Sequence, residues 1–126
     1  DSVRFTQKDI REVQLAKAAV RAGIDILLRE AGMETADVAR LYLAGGFGSA
    51  MRPESAARIG LIPEELSDRV TVPGNAAGSG ALRYATEEGA AESALGIIRR
   101  TRYIELSAHA GFTDAYVERM LFPERE

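Results

Sequence analysis

The 126 residues predict a single domain (residues 1–126) of the α/β class, a mostly parallel sheet flanked by helices. Two observations carry that prediction. Short apolar runs, RLYLA at 40–44 and RVTVPG at 69–74, alternate with longer stretches of helical periodicity, the pattern of parallel strands joined by crossover helices. Both runs lead into glycine, and in such sheets ligands lie beyond the carboxyl ends of the strands.

In chain order, DSVRF at 1–5 reads as the end of a strand with Val3 and Phe5 on one face, so the chain reads as a piece of a longer protein. Thr6 followed by Asp9 makes a capping box, which starts a helix near Gln7. That helix runs to Glu30, with Gly32 in the left-handed stop position. At roughly 100° per residue, Ile10, Val13, Leu15, Ala16, Ala19, Val20, Ala22, Ile24, Ile26 and Leu27 cover an arc of about 200°, wider than a surface helix needs. Gln14, Lys17, Arg21 and Asp25 fill the narrow stripe that remains. A helix this apolar needs cover on two sides, from further chain or from a second subunit.

RLYLA then forms a buried strand ending at Gly45 and Gly46. Pro53 fits the first turn of a helix written PESAARIG, which Gly60 stops. LIPEELSD is an irregular link and RVTVPG a second strand. NAAGSGALRYATEE opens a helix with Asn75 as its candidate cap, and Gly89 breaks it from AAESALGIIRR. RYIELS predicts a third strand. GFTDAYVERMLF predicts a closing helix that turns Phe112, Tyr116 or Val117, and Met120 inward.

Composition narrows the function classes. A formal net charge of -3 offers no field for nucleic acid. With no cysteine, the chain has no disulfide, no thiolate nucleophile and no iron–sulfur ligand of its own. The one histidine, His109, has no acid beside it in sequence, and the carboxylates form no convergent cluster, so no catalytic and no metal-binding residue is assigned. Glu54, Glu64 and Glu65 read as first-turn carboxylates, and RRTR at 99–102 as a solvated helix end. No run reaches membrane-spanning length and no secretory pattern opens the chain, which predicts a cytoplasmic protein.

The two glycine turns carry the functional signal. In LAGGFGS a Gly-Gly pair takes up unusual backbone angles and lets a ligand touch the main chain. The helix expected from Pro53 adds unpaired N–H groups and a positive dipole end. PGNAAGSGA repeats the design with Gly74, Asn75, Gly78 and Gly80. Neither turn is a Walker A loop or a G-x-G-x-x-G fingerprint. Glycine also serves tight turns and close packing, the favoured role for Gly78 and Gly80. Two such turns on neighbouring strands favour nucleotide binding at Gly45, Gly46, Gly74 and Asn75. Asn75 is either a ligand contact or a helix cap.

TQKDIREVQLAKAAVRAGIDILL, LYLAGGFGS, PESAARIGLIP, VPGNAAGSGA and YIELSAHAGFTDAYVERMLFP span residues 6–123. Together they resemble the C-terminal domain of the reductive activators of corrinoid-dependent methyltransferases. The resemblance implies a ribonuclease-H-like, actin-like ATPase half-domain of the acetate-kinase, sugar-kinase, heat-shock chaperone and actin superfamily. It implies a parent protein with a ferredoxin-like [2Fe–2S] domain outside this chain. That parent uses ATP with Mg²⁺ to return a cobalt(II) corrinoid to cobalt(I). It implies a corrinoid protein or methyltransferase as partner, and a homodimer is expected. LYLAGG matches the superfamily's adenosine motif, with Gly45 and Gly46 in contact and Phe47 beside them. Helices ahead of that strand contribute polar contacts, which makes Gln14 and Lys17 candidates; the other reading is a solvated or interface-facing stripe with Arg21 and Asp25 ion-paired. The chain lacks an Asp-x-Gly phosphate motif and cluster cysteines, so this piece is expected neither to hold the cluster nor to hydrolyse ATP efficiently. A rival reading makes it a dimerisation or partner-docking module without independent nucleotide binding.

Overall fold

A computed structural model describes residues 3–124, the side chain of Phe47 excepted. The first helix, α1 (Gln7–Ala31), starts where the capping box places it: Thr6 Oγ1 accepts from the Asp9 amide at 3.3 Å and the Asp9 carboxylate accepts from the Thr6 amide at 2.8 Å. Gly32 stops it in the left-handed region, φ 64° and ψ 32°.

Strands β1 (Leu41–Ala44) and β2 (Val70–Gly74) pair in parallel, with Leu41 opposite Val70, Tyr42 opposite Thr71 and Ala44 opposite Gly74. The register is irregular between Tyr42 and Ala44. Pro73, which has no N–H to give to a ladder, lies in the same stretch. Between the strands come α2 (Gly45–Ala50), α3 (Pro53–Arg58) and a 3-10 stretch, Glu64–Arg69, whose Leu66 is buried. Gly60, at φ 75°, ends the α3 region as expected. After β2 follow α4 (Ala76–Thr86), a break at Gly89, α5 (Ala90–Ile98), a 3-10 turn at Leu106–Ala108 and α6 (Phe112–Glu118).

Among the described residues two expected strands are not formed, positions 1 and 2 of the first lying outside them. Residues 3–5 are irregular and Val3 and Phe5 are exposed. A strand exists through its ladder, and among the described residues β1 and β2 pair only with each other. RYIELS is irregular up to Glu105 and then enters the 3-10 turn. Here local polar bonds replace a ladder: the Glu105 carboxylate accepts from the Ser107 amide at 3.3 Å, from the Ser107 hydroxyl and from the Tyr103 hydroxyl. Arg102 meanwhile reaches Glu30 at the end of α1, 2.9 Å away.

α1 is shared by two apolar clusters. Ala22 and Ile26 meet Ala115 of α6, with Leu106, Phe112 and Tyr116 packed around them. Ile24 instead faces the cluster of Ala56, Ala57 and Ile62, which Leu41, Leu43 and Val70 of the strands complete. On α6 the rings of Phe112 and Tyr116 stack with centroids 6.2 Å apart while Val117 is exposed, so Tyr116 is the inward residue of the pair. Met120 is partly buried just beyond that helix. The wide apolar arc of α1 is only partly covered, and Leu15, Val20 and Leu27 stay exposed. α4 and α5 pack mainly on each other and leave Leu82, Tyr84, Leu95, Ile97 and Ile98 exposed.

Candidate functional site

Pairing Ala44 with Gly74 sets the two glycine turns side by side at the carboxyl ends of β1 and β2. Gly45 at φ 84° and Gly74 at φ 70° occupy the left-handed region, which a side chain would strain. A Cβ added at Gly45, Gly46 or Gly74 meets nothing within 4 Å. The backbone at both turns therefore borders open space.

Gly48 differs. A Cβ there would lie 2.4 Å from the Leu43 carbonyl oxygen and 2.6 Å from its carbon, because α2 folds directly back onto β1. Its missing side chain is explained by the protein's own main chain and that of Gly45 by its left-handed backbone, whereas neither accounts for Gly46. The helix that follows β1 also opens at Gly45 itself, not first at Pro53 as the sequence suggests. Ala44 lies before it with no capping side chain.

At the second turn Asn75 Oδ1 accepts from the Gly78 amide at 2.9 Å, so Asn75 caps α4. A Cβ at Gly78 would strike that cap, 2.5 Å from Asn75 Nδ2. Gly80 has nothing within 4 Å, so close packing does not explain it. Phe47 lies in α2, but its side chain falls outside the described residues.

The polar stripe of α1 is not solvated. Lys17 is 2% exposed, its Nζ donates to the Leu121 carbonyl and stands 5.4 Å from the centre of the Phe122 ring. Gln14 is half-buried. Arg21 and Asp25 do pair, at 3.0 Å, and Arg119 joins Asp25 at 2.7 Å, which ties α1 to the end of α6. The C-terminal segment thus covers the stripe, a contact between positions about a hundred residues apart that no local pattern announces. Burial, with Arg119 and Arg21 nearby, pulls the Lys17 pKa below its usual 10.5. Lys17 also lines an apolar cleft of about 520 Å³ between α1 and β1, with Val13, Val20, Tyr42, Ala44 and Met51.

His109 finds its acid in space. Its Nδ1 accepts from the Gly111 amide at 3.1 Å, which leaves Nε2 to donate to Glu30 Oε1 at 3.2 Å. Glu30 in turn holds Arg102, so this cluster fastens the end of α1 to the later chain. The His109 hydrogen bond is the main cause of a Glu30 pKa below the usual 4.5.

Among the described residues no three His, Asp or Glu side chains converge as metal ligands, and the glycine turns present no carboxylate. The turns therefore do not fit Mg²⁺ by themselves, and a [2Fe–2S] cluster finds no thiolate in this chain. Among the same residues no helix is long and apolar enough to cross a membrane.

The family model for the C-terminal domain of RACo, the ASKHA domain, matches residues 1–126. The corrinoid activation enzyme RamQ of Eubacterium limosum is 37% identical over 118 residues, covering 94% of this chain and 20% of that protein. A solved structure of a reductive activator for a corrinoid, iron–sulfur protein superposes with a TM-score of 0.85 at 30% identity, over 94% of this chain and 19% of that one. The chain spans about a fifth of the length of these relatives.

Proposed function

The chain belongs to the family of the RACo C-terminal ASKHA domain, and from that premise we propose that it is the nucleotide-binding part of an ATP-dependent reductive activator of corrinoid proteins. The observation that carries the reading is the pair of bare turns: Gly45, Gly46 and Gly74 present peptide groups to open space at adjacent strand ends. A purine nucleoside lies on such a surface without meeting a side chain. Phe47 flanks the first turn and Asn75 the second, and Gln14 comes from α1, where the ammonium of Lys17 is already engaged by the Leu121 carbonyl. Asn75 contributes its Nδ2, since Oδ1 is engaged in the cap.

In this reading the chain binds and orients ATP or ADP, and its contribution to turnover is conformational. Carboxylates for Mg²⁺ and the electron-carrying [2Fe–2S] cluster come from outside these residues. In this reading the parent protein works in the cytoplasm and returns a cobalt(II) corrinoid to cobalt(I); the support is that its relatives are named for corrinoid activation and for reductive activation. Calorimetric titration with ATP and ADP tests the site. Binding at millimolar or tighter concentration, lost in Gly46→Val, supports it; no heat with either nucleotide sinks it.

A second reading has its own observation. The α4–α5 hairpin exposes Leu82, Tyr84, Leu95, Ile97 and Ile98, side chains of the kind that line a contact with another protein. In that reading the chain is a dimerisation or partner-docking module. A stable dimer by ultracentrifugation that Ile98→Ser weakens, together with no nucleotide heat, favours it.

A further inference from the structure

Residues 121–123 cover buried groups while staying exposed themselves, and a half-buried ion pair anchors the chain just before them. Arg119 Nε reaches Asp25 Oδ2 at 2.7 Å, Lys17 Nζ donates to the Leu121 carbonyl, and the Phe122 ring faces the same ammonium at 5.4 Å. Pro123 covers Gly60, where an added Cβ would come within 3.1 Å of its ring. Yet Leu121 is 75% exposed and Phe122 38%, whereas Lys17 beneath them is 2% exposed. The segment hides the lysine at little burial of its own.

What it hides is a poorly matched cation. An ammonium carries three N–H donors, and among the described residues a neutral carbonyl and a ring face stand where a carboxylate would satisfy it better. Arg21 and Arg119 bring two more positive charges, and Asp25 is the carboxylate bonded to both. A charge withdrawn from water in that setting favours an anionic oxygen over an uncharged one. Lys17 already lines an apolar cleft of about 520 Å³.

We propose that residues 121–123 are a releasable strap, lying as an internal stand-in ligand on a concealed anion site built on Lys17. The Leu121 carbonyl takes the place of an anionic oxygen, and Phe122 and Pro123 take the place of the apolar body that carries it. Release of the strap hands the ammonium to the cleft, which then accepts a carboxylate or phosphate on an aromatic or apolar body. The site does not depend on the glycine turns holding a nucleotide.

The chain's two lysines make the test self-calibrating, because Lys8 is exposed and Lys17 is not. Brief acetylation of the folded protein, read by peptide mass, gives the Lys17-to-Lys8 ratio. Phe122→Ser combined with Pro123→Ser should raise that ratio about tenfold, since reagent access follows the open fraction. Millimolar phenyl phosphate should bring it back toward the wild-type value, and uncharged phenol should not. Phe122→Leu, which keeps apolar bulk and loses the ring, should give an intermediate ratio at unchanged far-ultraviolet circular dichroism. An unchanged ratio in both variants refutes the strap. Equal protection by phenol and phenyl phosphate, or none by either, refutes the anion site.

Discussion

Gly46→Ala and Gly48→Ala place the same methyl group two residues apart in one short helix, and the structure separates them sharply. At Gly48 the new carbon starts 2.4 Å from the Leu43 carbonyl oxygen and must retreat at least 0.6 Å to reach 3.0 Å, the lower bound of real contacts. The obstacle is backbone, so α2 must lift or the β1–β2 ladder must bend. Overpacking of this kind costs about 1–3 kcal/mol. At Gly46 the methyl meets nothing within 4 Å and the residue is not at positive φ, so no such cost arises. Both variants gain helix propensity of up to about 1 kcal/mol, which largely cancels in the comparison. The difference between them is then close to the overpacking cost itself. For a domain of this size that is a gap of roughly 5–15 °C in unfolding midpoint, with Gly48→Ala the lower. Thermal unfolding followed by circular dichroism measures it directly. Midpoints that coincide, or a more stable Gly48→Ala, would refute the assignment of Gly48 to packing and of Gly46 to open space. Nucleotide titration of the stable Gly46→Ala variant then tests function without a folding defect.

Three further outcomes follow from the polar contacts of α1. Asp25→Ala strips both arginines of their carboxylate at a site 18% exposed, and should cost about 1–3 kcal/mol in urea unfolding; full additivity with Arg119→Ala would show that the α1–α6 tie contributes nothing. The lowered Glu30 pKa contributes stability that is complete above the usual 4.5 and is lost as pH falls through the folded value. The wild type's advantage over Glu30→Gln should therefore shrink in acid below that point, and parallel stability curves would contradict it. For Lys17 the folded pKa lies below 10.5, so the unfolded chain binds more protons in the alkaline window beneath it. Stability relative to Lys17→Met should accordingly rise with pH there; a flat or falling difference would show that the ammonium is not desolvated.

Neighbours along the chain set the local features of this fold. The Thr6–Asp9 box starts α1, and Gly32, Gly60 and Gly89 mark helix ends or a break because their left-handed backbone favours glycine. Asn75 sits three residues before the amide it caps. The parallel pairing of β1 and β2 follows from two apolar runs too far apart for a hairpin. The bareness of Gly45 and Gly46 was legible as composition, though not what lies beyond it.

Tertiary structure alone decided whatever depends on a distant partner. RYIELS has the residues of a strand, yet it pairs with neither of the outer edges that β1 and β2 leave open, and Glu105 satisfies its neighbours locally. Lys17 looks like a surface lysine until the chain returns, 104 residues later, to cover it. Gly48 reads like Gly46 until α2 turns its back onto the Leu43 carbonyl. The physical reason is common to all three: caps and backbone angles are set within a few residues, whereas burial, ladder pairing and steric exclusion are properties of surfaces that meet only when the chain is folded.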